Sequence, residues 1–177
     1  MSDSADTVEN AVETQHGCPV QNSLGQCVLH VSRDQYVSVI KALADEGYEM
    51  CIDLTGVDYL EMPNRKIGFG SQPERFEVVV NLLSLSQRKR IRLRVQVPAD
   101  DATIPTLFDV HPGTEAHERE TFDMFGIIFD GHPGLTRILM PDDWEGHPQR
   151  KDYALGGIAV EYKGATTPPP SERRSYK

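Results

Sequence analysis

The chain has 177 residues, enough for one domain with a proper hydrophobic core and too short for two comfortable ones. Hydrophobic residues make up 38% of it and charged residues 25%, as in ordinary globular proteins. The formal net charge of −9 argues against a protein that binds nucleic acid or an anionic membrane, because both need a basic face. With no apolar run of 18 residues and no signal-peptide pattern, we expect a cytosolic protein.

The amino-terminal stretch is polar and acidic. Residues 1–30 contain four acidic residues and neither Lys nor Arg. Residues 1–26 have no apolar period, which predicts a mobile acidic tail, with order beginning near Val28. The cysteines are widely spaced and form no C-x-x-C pair, so we interpret them as ordinary thiols rather than disulfide or cluster ligands; they are Cys18, Cys27 and Cys51.

The first helix is predicted to follow Ser32. Ser32 and Gln35 have the spacing of a capping box, and Gly47 is a natural stop. The apolar positions that share one face of this helix are Tyr36, Val39, Ile40 and Leu43. A short strand is expected next, where apolar and polar residues alternate from Met50 to Leu54, and a Pro- and Gly-containing loop covers residues 62–73.

Two further strands are predicted around a turn at residues 84–87. Residues 76–83 are apolar at nearly every position, as in a strand covered on both faces. The strand after the turn alternates, and its outer face carries Arg90, Arg92, Arg94 and Gln96. We favour a solvated edge strand for this row, ahead of a contact with an acidic protein; the net charge makes a nucleic-acid contact less favourable still.

The remaining elements are short. Residues 103–108 are predicted to form a short helix, and Pro112-Gly113 breaks the chain before a second helix from Thr114 to Gly126. Residues 127–129 and 137–140 are expected to be short strands. Beyond Pro141 no helical or strand period persists.

The second helix contains HERETFDMFG, residues 117–126, which is not simply amphipathic. On a helical wheel Glu118 lies between two phenylalanines, which predicts a helix buried on several sides whose acids meet cations from neighbouring segments. Glu120 and Asp123 have the i, i+3 spacing of an acid/base pair or a cation site. The zinc-protease pattern H-E-x-x-H is absent, so we favour structural ion pairing over metal chemistry.

Three further residues stand out downstream. His132 and His147 each precede a proline, and no complete metal-ligand spacing surrounds them, so we predict that they stabilise turns. Trp144, the one tryptophan, lies in the acidic stretch PDDWEG. We interpret it as an anchor against the core or a partner.

The run ERETFDMFGIIFDGHPGLTRILMPDDWEGHPQRKDYAL, residues 118–155, resembles the thirty-kilodalton subunit of respiratory complex I, which in bacteria is the C subunit of NADH-quinone oxidoreductase. The resemblance rests on E-R-E with an acid three residues later, G-H-P, R-I-L-M-P, D-W-x-G and R-K-D-Y. Two positions depart from the family's pattern, which usually has an aromatic residue at Ala116 and often a basic one at Thr136.

The resemblance implies an α+β fold: a two-layer domain, residues 27–150, with a mixed sheet packed by helices, and an extended partner-wrapping arm over residues 151–177. It implies a subunit without catalytic, cofactor or metal residues of its own, docked beside the quinone-pocket and terminal-cluster subunits of a proton-translocating complex. NAD, FMN, iron-sulfur clusters and quinone would be bound by partner subunits, and the membrane would be reached indirectly, at its cytoplasmic face. The implied interface or structural ionic set is Glu118, Arg119, Glu120, Asp123, His132, Arg137, Trp144, Arg150, Lys151 and Asp152.

Two alternatives remain open on the sequence. One is the homologous subunit of a related membrane-bound hydrogenase or of a dehydrogenase with another electron donor. The other is a free-standing metal-dependent enzyme that would use Glu120, Asp123 and His132. No dinucleotide-binding glycine motif, P-loop or paired nucleophile and base favours the second alternative.

Overall fold

The computed structural model describes residues 13–65, 67 and 72–154. Within them, six strands form one mixed sheet in the spatial order β1-β2-β3-β6-β5-β4. The contact between β3 and β6 is parallel and the other contacts are antiparallel. The strands are β1 (Thr14–Gln15), β2 (Cys18–Ser23), β3 (Gln26–Val31), β4 (Met50–Asp58), β5 (Phe76–Ser84) and β6 (Lys89–Val97).

A second, two-stranded parallel sheet is formed by β7 (Thr103–Pro105) and β8 (Ile128–Asp130). The helices of the described residues are α1 (Tyr36–Asp45) and α2 (Glu115–Phe125), each preceded by a short 3-10 turn. The four apolar residues predicted to share a face of α1 are all buried in one core with the inward residues of the large sheet. The α+β prediction with a mixed sheet packed by helices is therefore confirmed.

The amino-terminal boundary of the domain was predicted wrongly. Residues 14–23, assigned to the tail, form β1 and β2, and Cys18 is only 1% exposed. β2 pairs with β3, with Val20 opposite Leu29, and this pairing gives the N–H and C=O groups of β2 their hydrogen-bond partners. The strand therefore depends on its neighbour rather than on its own sequence pattern. Residues 1–12 of the predicted tail lie outside the described residues.

Helix α1 begins later than its predicted cap. Residues 33–35 form a 3-10 turn, and the hydroxyl of Ser32 donates to the side chain of Gln35 instead of accepting a backbone N–H. The reciprocal backbone contacts of a capping box are therefore not made. The helix does end where predicted, since Gly47 follows it with φ +94°.

The interpretation of the two central strands needs correction. β6 is not an edge strand, because it lies between β3 and β5. Its outward arginines bond to β5: Arg92 donates to Asn81, and Arg94 donates to the fully buried Glu77 at 2.6 Å. β5 is not buried on both faces either, since its outward residues beyond Glu77 are only half-buried. Cross-strand pairs occupy that face, together with Tyr59 and Arg65 of the loop after β4.

Two short elements were assigned wrongly. Residues 103–108 form β7 and a turn rather than a helix, because the carboxylate of Glu118 accepts the N–H of Leu107. Residues 137–140 are not a strand, because the N–H groups of residues 138–140 bond to Asp123 rather than to a neighbouring strand. In both places a buried carboxylate replaces the backbone partner that a regular element would need.

Candidate functional site

Helix α2 is buried on several sides, as predicted. Phe125 packs over Gly56 of β4, where an added Cβ would lie 2.9 Å from the phenylalanine ring. Glu118 and Asp123, on other sides of the helix, are both fully buried. The helix ends at Gly126 in the left-handed conformation, φ +72°, which favours glycine. The helix thus holds two carboxylates in the protein interior.

The carboxylate of Asp123 organises the chain that follows α2. Its Oδ1 accepts from Nη1 of Arg137 at 2.6 Å. Its Oδ2 accepts three consecutive backbone N–H groups, from Ile138 at 3.0 Å and from Leu139 and Met140 at 2.8 Å each. Burial alone would raise the pKa of Asp123, but these hydrogen bonds, led by that of Met140, outweigh it and lower the pKa to about 2.

Arg137 joins this carboxylate to the rest of the loop. Its Nη2 donates to the carbonyl oxygens of Trp144 at 2.9 Å and Gly146 at 3.0 Å. From the helix, Arg119 donates to the carbonyl oxygen of Arg137 at 2.9 Å. These contacts fix residues 136–147 over one end of α2, and we name this segment the clamped loop.

Glu118 behaves differently from Asp123. Within the part of the chain that the structure describes it meets no cation; it accepts the N–H of Leu107 at 2.7 Å and the hydroxyls of Thr106 and Thr114. Burial raises the pKa of this carboxyl group, and the hydrogen bonds only partly offset the rise. The prediction that both buried acids meet cations is therefore right for Asp123 and wrong for Glu118.

The remaining predicted residues of α2 and its loop are distributed as follows. Glu120 is exposed, so it does not share a site with Asp123. His132 accepts the N–H of Gly134 on Nδ1 and bonds the carbonyl oxygen of Glu115 through Nε2, in agreement with a turn role. His147 bonds the carbonyl oxygen of Asp123 at 2.9 Å, so it connects the loop to the helix rather than stabilising its own turn. Trp144 is half-buried.

The segment after the clamped loop packs against the strands. Arg150 donates through Nε to the carbonyl oxygen of Phe125, and its guanidinium lies 5.2 Å from the centre of the Phe76 ring. The backbone N–H of Lys151 donates to Asp58 at 2.9 Å, and Asp152 pairs with Arg75 at 2.8 Å. Contacts with the domain therefore continue past residue 150, into the start of the predicted arm. Residues 155–177 of the predicted arm lie outside the described residues.

Sequence reasoning missed two ionic groups on the strands. Asp58 is buried at the end of β4 and receives two hydrogen bonds from Arg75, at 3.1 and 2.9 Å. Glu77 is fully buried and pairs with Arg94. Only the register of the sheet brings these partners together, with Asp58 opposite Phe76 and Val79 opposite Arg94, so no short sequence motif signals them.

The buried carboxylates join separate segments of the backbone. Asp123, the carboxylate with the most extensive contacts, uses its lone pairs on a guanidinium and three amides, which leaves it poorly placed to accept a substrate proton. Over the described ranges, no three His, Cys, Asp or Glu side chains converge as metal ligands. The helices described are also too short or too polar to cross a membrane.

Comparison with known proteins decides the family. The model of the respiratory-chain NADH dehydrogenase 30 Kd subunit matches residues 29–159, which run from the middle of β3 past the clamped loop. The chain belongs to this 30 Kd subunit family. The relation agrees with the resemblance found in residues 118–155.

Relatives in the family are similar over most of this chain. The C subunit of the NADH-quinone oxidoreductase of Saccharopolyspora erythraea is 47% identical over an alignment of 172 residues, and the match covers 92% of this chain and 65% of the relative. The C subunit of the same enzyme from Mycobacterium tuberculosis is 51% identical over an alignment of 154 residues, and the match covers 85% of this chain and 61% of the relative. The chain thus spans less than two thirds of the length of these relatives.

Solved structures share the fold. A trypsin-resistant fragment (1-134) of Nqo5 is 34% identical, with a TM-score of 0.61; the match covers 67% of this chain and 90% of that one. A chain of the membrane-bound sulfane sulfur reductase, an archaeal respiratory membrane complex, is 21% identical with a TM-score of 0.64, over 77% of this chain and 78% of that one. The second likeness concerns the fold alone.

Proposed function

We propose that this chain is a non-catalytic structural subunit in the hydrophilic arm of a proton-translocating NADH:quinone oxidoreductase. It docks against the subunits that form the quinone pocket and bind the terminal cluster, at the cytoplasmic face of the membrane. NAD, FMN, iron-sulfur clusters and quinone belong to its partners. The contribution of this chain is mechanical, because a rigid support fixes the distances and geometry of the sites beside it.

The observation that carries the proposal is the use made of Asp123 and Arg137. Both side chains are committed to the backbone of the clamped loop, through three amides and two carbonyl oxygens. Such contacts give a surface loop one fixed shape. A loop of fixed shape suits recognition of a partner, because little conformational entropy is lost on binding.

The arm over residues 151–177 is part of the proposal. Its large apolar residues are scattered and interrupted by Gly156-Gly157 and by Pro168-Pro169-Pro170, a sequence that favours extended backbone. An extended arm can bury such anchors on a neighbouring subunit. Lys151 and Asp152 fasten the start of this arm to the domain through Asp58 and Arg75.

Native purification tests the proposal. A tagged full-length chain, extracted with mild detergent from cells that make it, is expected to bring with it the quinone-pocket and terminal-cluster subunits and NADH:quinone activity. The isolated chain is expected to be colourless and free of stoichiometric iron, zinc and flavin. A tightly bound metal with hydrolytic activity in the isolated chain would favour the free-standing enzyme instead.

The alternative that the sequence leaves open is the homologous subunit of a related complex with another electron donor. The same preparation separates the two. Reduction of quinone by NADH supports the proposal, whereas a complex that lacks NADH oxidation and uses hydrogen or a sulfur compound supports the alternative.

The arm is tested by ending the chain after Ala154. This variant keeps the contacts of Lys151 and Asp152, so its domain should remain folded. It is expected to lose most of its incorporation into the complex. Undiminished incorporation would contradict the wrapping role.

A further inference from the structure

The clamped loop exposes two adjacent large apolar side chains. Ile138 is 41% exposed and Leu139 is 60% exposed. Their backbone N–H groups both bond to the buried Asp123 carboxylate, so the backbone is held while the side chains remain in solvent. Exposed apolar residues are common singly, but two on a fixed backbone form a preorganised contact.

Acidic residues follow this pair along the loop. Asp142, Asp143 and Glu145 are exposed and follow Leu139 within six residues. The one cation of residues 137–146 is Arg137, and its guanidinium is directed at Asp123 and at the carbonyl oxygens of Trp144 and Gly146. The loop therefore presents apolar and negatively charged groups without an exposed cation of its own.

We propose that residues 138–145 are a docking surface for a basic region of another subunit of the oxidoreductase. That region would offer an apolar pocket for Ile138 and Leu139, flanked by Lys or Arg side chains that face the three acids. The inference rests on the proposed function and adds to it the segment that binds and the chemistry of the surface it binds. It follows from charge complementarity around a desolvated apolar centre.

Charge argues against the other occupants. A second copy of this chain, related by a two-fold axis, would set the acidic loop against itself or require a different patch. An anionic membrane or a nucleic acid would meet the same repulsion. A basic protein surface is the occupant that the three carboxylates favour.

Competition for incorporation tests the surface. Wild-type and variant full-length chains are made together, and their ratio in the purified NADH-oxidising complex is divided by their ratio in the cytosol. For Leu139→Asp we expect the ratio to fall about tenfold, as for loss of a central apolar contact. The matched control is Leu85→Asp, at an equally exposed leucine (64%) on the turn between β5 and β6, which should give a ratio near one.

Charge reversal tests the acidic rim separately. The double variant Asp142→Lys, Asp143→Lys should be incorporated several-fold less well, and the deficit should shrink when binding is measured at high salt. Its control is Asp45→Lys, Glu49→Lys, at two exposed acids near the end of α1. All four variants change exposed side chains, so each should melt near the wild-type temperature.

A photo-crosslinker identifies the partner surface. With p-benzoyl-phenylalanine in place of Leu139, irradiation of the assembled complex should join this position to an apolar segment of another subunit that has Lys or Arg on either side. A crosslink to a second copy, to lipid or to an acidic segment would overturn the inference. The absence of any crosslink in the assembled complex would also overturn it.

The two proposals fail in different ways. If wild-type chain copurifies with the complex while Leu139→Asp competes equally, the docking surface is wrong and the proposed function stands. If wild-type chain never enters an oxidoreductase, both are wrong.

Discussion

Replacing Asp123 by Asn tests the central contact of the clamped loop. The amide has nearly the same shape, but it carries no charge and has only one acceptor oxygen. Its NH2 group must therefore face either Arg137 or the N–H groups of Ile138, Leu139 and Met140, all of which are donors. The variant leaves buried donors unpaired whichever way the amide turns.

The expected loss in the free energy of unfolding has two sources, the missing charge and the missing acceptor oxygen. The lowering of the pKa of Asp123 from 3.8 to about 2 corresponds to about 2 kcal/mol in favour of the charged form. The opposed donors add to this, whereas the carbonyl oxygens that Arg137 retains limit the loss. We expect about 3 kcal/mol, the lower end of the range for breaking a buried pair, and a melting temperature roughly 6–12 °C lower.

Urea unfolding and thermal melts measure this loss, with Glu120→Gln as the control. Glu120 is an exposed acid on the same helix, and its change should be within about 0.5 kcal/mol. Because the folded-state pKa is depressed, the stabilisation is fully present above pH 4 and is lost as the pH falls from about 4 towards 2. A variant as stable as wild type at pH 7, or a difference unchanged down to pH 2, would refute the reasoning.

Three further predictions use the same assays. Glu118→Gln should cost only about 1 kcal/mol at pH 7, because the change leaves no described cation unpaired and the amide oxygen can still accept from Leu107. Burial raises the pKa of Glu118, so the wild-type protein should lose stability as the pH rises above about 4.3. The Gln variant should not show this loss. A loss as large as that of Asp123→Asn would contradict this contrast. Gly126→Ala should lower the free energy of unfolding by about 2 kcal/mol or more, because its Cβ would lie 2.5 Å from Nε2 of His147 at a positive φ. The control is Gly113→Ala, at a glycine with open space around it. Equal effects of the two changes would contradict the prediction, because they would show that the clamped loop can move to accommodate the added Cβ. A chain ending after Arg150 should melt several degrees below one ending after Ala154, because only the first loses the contacts of residues 151 and 152 with Asp58 and Arg75. Equal melting temperatures would show that residues 151–154 do not stabilise the domain.

Elements with a long periodic pattern were predictable. The buried apolar residues of helix α1 recur at the three- and four-residue intervals of one helix face, and Gly47 marks its end, so the prediction followed from local chemistry. The start of α1 was not predictable from Ser32 and Gln35, because side-chain spacing does not determine which atoms bond. β2 was missed because its six residues show no sustained apolar period and are stable as a strand only beside β3.

Part of the site could also be predicted. The crowding of Glu118 between aromatic residues correctly indicated a helix buried on several sides. The pattern could not show that Asp123 meets Arg137 while Glu118 meets amides and hydroxyls, because those partners come from loops with no period. Pairs such as Asp58 with Arg75 depend on sheet register, which single-sequence periodicity does not determine.

Asp123 holds residues 138–140 by their amides and makes no demand on their side chains. Shape and chemistry are therefore separable at Ile138 and Leu139: the path of the backbone depends on one carboxylate, while these two exposed side chains are free to differ with the surface they meet. Met140 packs against the core. Proline alone is excluded from these three positions, because it has no N–H to donate. The chain places Pro141 at the first position after the last amide that Asp123 requires.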